Sequence, residues 1–280
     1  MFHSMFGKVR NGKHFIASHM KQHYERVVSE YGEDRFMFMF VSGSQNYGLQ
    51  HEGSDVDTKT FIAPTLRDTL LGKEMVSRTI VLDNNEHTDV KDYRQYLRCL
   101  WKQNINFVEV LFSEWYVGNP NEKIQDIFKL LTDNREEIAH YNPKATVDCL
   151  WGTAHQKYER LFTPHPNSKE KIEQYGYDGK ELHHILRQEE FMKQYIKDIP
   201  YAECLITFPT YGRDLLMAAK LQPIPLEEVD ALARQSLSEI DRLHDNFASG
   251  AVNTELRERI ENEMAEMLAT DLLYSYVKRL

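Results

Sequence analysis

Residues Phe36–Asp57 read FMFMFVSGSQNYGLQHEGSDVD, and this stretch decides the fold. Its first six residues, Phe36 to Val41, are an unbroken apolar run of strand length, which suits a strand buried on both faces. Ser42, Gly43 and Ser44 follow at once, giving a buried strand, a turn and then a short helical segment. Beyond them VDTKTFIA, Val56 to Ala63, is rich in β-branched residues and stops at Pro64, which predicts a second strand. Asp55 and Asp57 stand two apart on that stretch, so both side chains are expected on one face.

Two bare carboxylates side by side repel each other, and a divalent cation between them removes the repulsion. Oxygen ligands from two aspartates, completed by phosphates and water, are what magnesium prefers. Lys59 lies two positions further along the same face, placed to meet a phosphate or to neutralise the pair. Gly43 lets the backbone approach a phosphate closely. The amides of a helix start and the Ser44 hydroxyl add hydrogen bonds to an anion. Taken singly, a Gly–Ser turn or an SDVD segment is an ordinary turn or a solvated strand start. Joined by one short loop behind a buried strand, they suit a nucleoside triphosphate chelating a metal ion.

Outward from this segment, Ser18 to Tyr31 is expected to be helical, with Ser18 as N-cap and Val27, Val28 and Tyr31 in its apolar stripe. Further strands are expected at Arg78–Leu82 and, after the turn Asp83-Asn84-Asn85, at His87–Lys91. Asp92 caps a helix reaching about Lys102, with Tyr96, Leu97, Leu100 and Trp101 on its apolar face. From Asn121 onward the pattern is helical: Glu122–Leu131, Lys144–Leu161, Gly179–Ile196, Tyr211–Lys220, Leu226–Ala248 and Thr254–Leu280. Pro164, Pro166 and Asn167 mark a loop, and Pro200, Pro209, Pro223 and Pro225 punctuate the later helices. The fold class is therefore α+β, with a small α/β head in residues 1–120 and a helical region in residues 121–280.

The 280 residues suffice for a sizeable core, and the 41% hydrophobic content is that of a globular protein. A formal net charge of -9 argues against coating duplex DNA, which needs clustered Lys and Arg. Cys99, Cys149 and Cys204 form no CxxC pair, so neither a disulfide framework nor a zinc knuckle is suggested. The opening MFHSMFGKVRNGKHF lacks the apolar run of a signal peptide, and no stretch approaches a membrane span. A cytoplasmic protein without membrane contact is expected.

The pattern GS-x-x-YGL-x-x-x-x-SD-x-D resembles the nucleotidyltransferase signature of the DNA polymerase β superfamily. Within it, the chain most resembles the RNA repair pathway polymerase β family. That family couples GSRxYG and SDxD to a segment like FLxLLxKGNPNxLELLF, here YLRCLWKQNINFVEVLF from Tyr96 to Phe112. It also carries Kx3HxxR on a later helix, here Lys180, His184 and Arg187. The likeness runs from Phe36 to the helix ending near Ala248. Gln45 stands where the family has Arg, Thr58 and Lys59 where it has an aromatic and Arg, and Ile105 where it has Pro. None of these removes a metal-ligand position.

The resemblance implies an αβ palm with a mixed sheet, nucleotidyl transfer, a magnesium or manganese cofactor, an NTP such as ATP as substrate, and an RNA acceptor in repair. Gly43 and Ser44 would take the triphosphate, and Asp55 and Asp57 the metals. A third carboxylate is expected on a neighbouring strand. Asp89 is its candidate, with Asp92 the competitor better suited to an N-cap. Lys180, His184 and Arg187, at i, i+4 and i+7 on one helical face, would line nucleotide phosphates or the acceptor. Read without the resemblance, they are a solvated charged face.

His19 and His23, four apart on a helix, have no sequence neighbours completing a zinc site and read as surface or helix-end histidines. Trp101, Phe107, Phe112, Trp115 and Tyr116 read as core rather than as base-stacking residues. Glu109 either orients a nearby basic group or is an ordinary helix residue, and Tyr211 and Arg213 precede a helix that could flank a cleft. Two other functions stay open beside transfer to RNA: nucleotidylation of a small molecule or protein, and a non-catalytic nucleotide-binding module.

Overall fold

The computed structural model describes residues 13–166, 168–248 and 250–277. It separates into two compact units, Met1–Tyr141 with Val252–Leu280, and Asn142–Ala251. Asn167 of the expected loop and residues 278–280 of the expected last helix lie outside the described residues.

The first unit is built on a five-stranded mixed sheet in the order β3-β4-β2-β1-β5. The strands are β1 (Phe36–Val41), β2 (Thr58–Ile62), β3 (Ser77–Val81), β4 (His87–Asp92) and β5 (Tyr116–Gly118). β1 pairs antiparallel with β2 and β5, β2 runs parallel to β4, and β3 closes the edge antiparallel to β4. Every residue of β1 is buried, as its all-apolar sequence requires of a strand covered on both faces.

One face is covered by α1 (Lys13–Tyr31), where Ile16, Met20 and Val27 pack with Met39, Val41, Ile62, Ile80, Val90 and Val117. α1 starts earlier than expected. Ser18 is not its cap; its hydroxyl donates to the Phe15 carbonyl at 2.8 Å, inside the helix. The short α2 (Leu66–Leu70) follows β2.

The other face is aromatic. Phe38 and Phe61 pack against Tyr96 of α3 (Tyr93–Trp101), and Phe38 and Phe40 against Phe128. Phe107, of the short α4 (Ile105–Val108), extends the cluster beside Tyr96. Each such ring contributes roughly 1.5–3 kcal/mol by leaving water. Asp92 caps α3 as expected, its Oδ1 accepting the Arg94 amide at 3.0 Å. Trp101 and Phe107 are buried, Trp115 packs onto the α1 side, and Tyr116 lies 4.6 Å from the Phe128 ring; these aromatics serve the core.

The expected junction near residues 118–121 falls inside this unit. Asn119 donates from its side chain to the Phe36 carbonyl at 2.7 Å, and Asn121 caps α5 (Glu122–Asp133). α6 (Arg135–Ala139) follows, and α13 (Thr254–Val277) returns to pack on α5 through the buried stripe Leu256, Ile260, Met264 and Leu268.

The second unit is all helical: α7 (Pro143–Leu161), α8 (Lys169–Tyr175), α9 (Gly179–Tyr195), α10 (Tyr201–Ile206), α11 (Gly212–Leu221) and α12 (Leu226–Asn246). α9 is its central helix, packed by α7, α10, α11 and α12 and buried almost all round. Its first residue must be small, because a Cβ on Gly179 would stand 2.4 Å from the Ala219 carbonyl oxygen.

Candidate active site

β1 ends at Val41, whose amide donates to Trp115 at 3.0 Å, and the chain then turns through a 3-10 turn over Gly43–Asn46. Gly43 has φ of +79°, a conformation that costs any residue with a Cβ. A Cβ built there meets nothing within 4 Å, so the corner is open above the glycine. The loop is anchored from beneath. Asn46 donates to the Val41 carbonyl at 2.9 Å and accepts from the Ser113 hydroxyl at 2.8 Å. The Tyr47 hydroxyl donates to buried Glu109, which is thus not an idle helix residue.

The corner is joined directly to the acidic segment, because the Ser42 amide donates to the Asp57 carbonyl at 2.9 Å. β2 begins at Thr58, so Asp55 and Asp57 sit just before the strand rather than on it. Val56 between them is in the core, Asp55 is exposed and Asp57 is 44% exposed. Asp57 Oδ1 accepts the His87 amide at 2.9 Å.

Lys59 and Asp89 are opposed in the parallel register of β2 and β4 and bond at 3.1 Å. Asp89 lies in mid-strand, and its second oxygen accepts the Thr79 hydroxyl at 2.5 Å. Burial alone would raise the Asp89 pKa; the Lys59 charge and the Thr79 and Lys59 hydrogen bonds outweigh it and hold it below the usual value. Lys59, expected to meet a phosphate or to neutralise the Asp55–Asp57 pair, bonds Asp89, with its ammonium 4.4 Å from the Phe107 ring centre.

Asp55 and Asp57 supply the hard oxygen donors that magnesium or manganese takes, one Asp57 oxygen being already bonded to His87. Asp89 is paired on both oxygens. Among the described residues no group of three His, Cys, Asp or Glu side chains is arranged to hold a metal ion. The chemistry of Asp55 and Asp57 suits such an ion together with substrate oxygens, and Asp89 could join them only by exchanging its present partners for the ion.

The other predicted residues lie in the second unit, on α9. They are not a uniform solvated face: Lys180 is exposed, His184 half-buried and Arg187 buried. Burial, followed by the positive charges of Lys157 and Arg187, pushes the His184 pKa well below its ordinary value, so this imidazole is neutral. Glu181 takes Lys157 as its partner at 2.9 Å. Tyr211 donates its hydroxyl to Glu189 at 2.5 Å, and burial raises its pKa.

Sequence reasoning missed the surroundings of His19 and His23. Neither is a loose surface histidine: His23 is fully buried, and both bond Glu86. The only sequence signal was the i, i+4 spacing. The partner lies more than sixty residues away.

The mixed sheet, its glycine–serine corner and the Asp-x-Asp segment all lie within the part of the chain that matches a nucleotidyltransferase-like family. Residues 16–189, more than half of the chain, match RlaP, the RNA repair pathway DNA polymerase beta family, and the chain belongs to that family. No curated protein matches it. Among solved structures it is similar to a nucleotidyltransferase-like protein from Exiguobacterium sibiricum 255-15, at 13% identity and a TM-score of 0.30, over 81% of this chain and 74% of that one. Among the described residues no helix is long and apolar enough to cross a membrane.

Proposed function

We propose that this protein is a metal-dependent nucleotidyltransferase that moves a nucleoside monophosphate from an NTP to an acceptor hydroxyl, with an RNA end as the acceptor that its family suggests. The observation that carries this reading is the 2.9 Å bond from the Ser42 amide to the Asp57 carbonyl, which ties the open corner at Gly43 to the acidic segment. In this reading Gly43 and Ser44 receive the triphosphate. The left-handed turn at Gly43 brings the bare backbone to the surface, and the Ser44 hydroxyl supplies a donor.

Asp55 and Asp57 would hold magnesium or manganese, and Asp89 would join them as the third carboxylate by giving up its bond to Lys59. A bound ion of this kind neutralises the triphosphate and acidifies the attacking hydroxyl. Lys59, released from Asp89, would compensate phosphate charge. Lys180, His184 and Arg187 would contact nucleotide phosphates or the acceptor. Neutral His184 would act there as a hydrogen-bonding group, and Lys180 and Arg187 as the charges. A cytoplasmic location goes with an RNA substrate.

A radiolabelled NTP offered with RNA, DNA and protein acceptors tests the reading. Label should pass to RNA only with a divalent cation, and Asp55→Asn and Asp57→Asn should each abolish transfer. Full activity in both variants would sink the proposal. Labelling of protein alone would move the acceptor from RNA to a side-chain hydroxyl.

A further inference from the structure

The parallel ladder of β2 and β4 pairs Thr58 with Thr88 and there comes to an end. Side chains carry the same register two residues further. The Val56 amide donates to Glu86 Oε1 at 2.9 Å, and the His87 amide donates to Asp57 Oδ1 at 2.9 Å. Val56 is the residue between Asp55 and Asp57, so Glu86 grips the backbone of the acidic segment from behind.

Glu86 is itself held. It is 3% exposed, and its carboxylate receives Asn84 Nδ2 at 2.8 Å, His19 Nδ1 at 2.8 Å and His23 Nε2 at 3.1 Å. His23 is fully buried, and its Nδ1 stands 2.8 Å from the Thr58 hydroxyl. With Nε2–H donating to Glu86, Nδ1 accepts from Thr58, the first residue of β2. Burying a carboxylate costs several kcal/mol unless donors surround it. Here the donors come from α1, from the β3–β4 turn and from the acidic segment itself. None of these groups has a part in the transfer chemistry proposed above.

We infer that Glu86 is a positioning residue for the proposed metal site. Braced by His19 and His23, it fixes the backbone between Asp55 and Asp57 and so sets the spacing of the two carboxylates. Supporting groups of this kind orient metal-binding carboxylates, and their loss typically costs about 10–100-fold in metal affinity. The inference rests on the proposed function, because it needs a cation at Asp55 and Asp57.

The test is Mn2+ binding to the full-length protein, read from the free-ion EPR signal, with amide exchange at Val56 and thermal melting followed in parallel. Glu86→Gln retains the size of the side chain but cannot accept all four donors. It should weaken Mn2+ binding by about 10–100-fold and speed exchange at Val56 in protein that is still folded. His19→Ala removes one brace from the partly open side and should give a smaller loss of affinity, which keeps the test available if Glu86→Gln does not fold. Asp57→Asn should abolish binding. If Asp57→Asn abolishes binding while Glu86→Gln or, should it not fold, His19→Ala only lowers the melting temperature, Glu86 is a structural residue and the inference is overturned alone. If the unaltered protein removes no Mn2+ signal, either alone or beyond what a nonhydrolysable NTP removes by itself, the proposed function is overturned, and this inference with it.

Discussion

Gly43→Ala separates the backbone requirement of the phosphate corner from its steric requirement. At φ of +79° an L-residue costs about 1–2 kcal/mol. A Cβ there meets no atom within 4 Å, so no overlap penalty is added. The expected loss in urea unfolding is therefore about 1–2 kcal/mol, or about 2–4 °C in Tm for each kcal/mol. Against a typical stability of about 5–15 kcal/mol, this leaves the protein folded at assay temperature. Stability loss alone predicts unchanged kcat/KM. The proposed corner predicts a fall of at least tenfold, because the new methyl group stands in the open space where a phosphate would approach. Gly43→Asn should cost less stability, since Asn tolerates the left-handed region, yet lose as much activity. A stability loss well above about 3 kcal/mol would show that the space is not open, and unchanged kcat/KM would refute phosphate binding at this corner.

Three further outcomes are expected. Lys59→Met leaves Asp89 without its cation, at a cost on the order of 2 kcal/mol between the exposed and buried limits; the Asp89 pKa should rise, so that its stabilising effect, present above the unfolded carboxylate value, is lost at higher pH on acidification, as measured by unfolding at stepped pH. Tyr47→Phe removes the hydroxyl bonded to buried Glu109 and should cost about 1–3 kcal/mol in chemical denaturation while loosening the 43–47 loop. His183 is pushed down to about 4, by burial first and then by Arg187, Lys220 and Lys180, against the Leu216 carbonyl bond. The unfolded chain takes that proton near 6.5, so stability should fall as pH drops from about 6.5 to about 4, by roughly 3 kcal/mol at most, and His183→Gln should flatten that slope.

The sheet and its corner were legible because their signals are local. FMFMFV names a strand covered on both sides, Gly43 marks the backbone reversal, and Pro64 stops β2 close to its observed end. β5 escaped notice because three residues, Tyr116–Gly118, carry too little alternation to be read. Ser18 looked like a cap because its chemistry suits one, but serine inside a helix satisfies its hydroxyl on an earlier carbonyl. The short helices α6, α8 and α10 were likewise below the length at which periodicity speaks.

At the site, Gly43, Ser44, Asp55 and Asp57 could be read as one group because a single loop joins them. The pairing of Lys59 with Asp89 depends on a parallel register of thirty residues, and the grip of Glu86 on Val56 depends on the same register. Neither leaves a mark in local spacing. Glu86 follows the expected turn Asp83-Asn84-Asn85 with nothing local to mark it, and His19 and His23 looked like surface. Only the packing of α1 across the sheet joins them to the back of the acidic segment.

The most direct measurement is a crystal structure of the protein with Mn2+ and a nonhydrolysable NTP, the ion located by its anomalous scattering. The account predicts manganese within about 2.0–2.3 Å of carboxylate oxygens of both Asp55 and Asp57, with the triphosphate seated over Gly43 and Ser44. An ion bound elsewhere, or a triphosphate lying away from that corner while both aspartates stay bare, would contradict it.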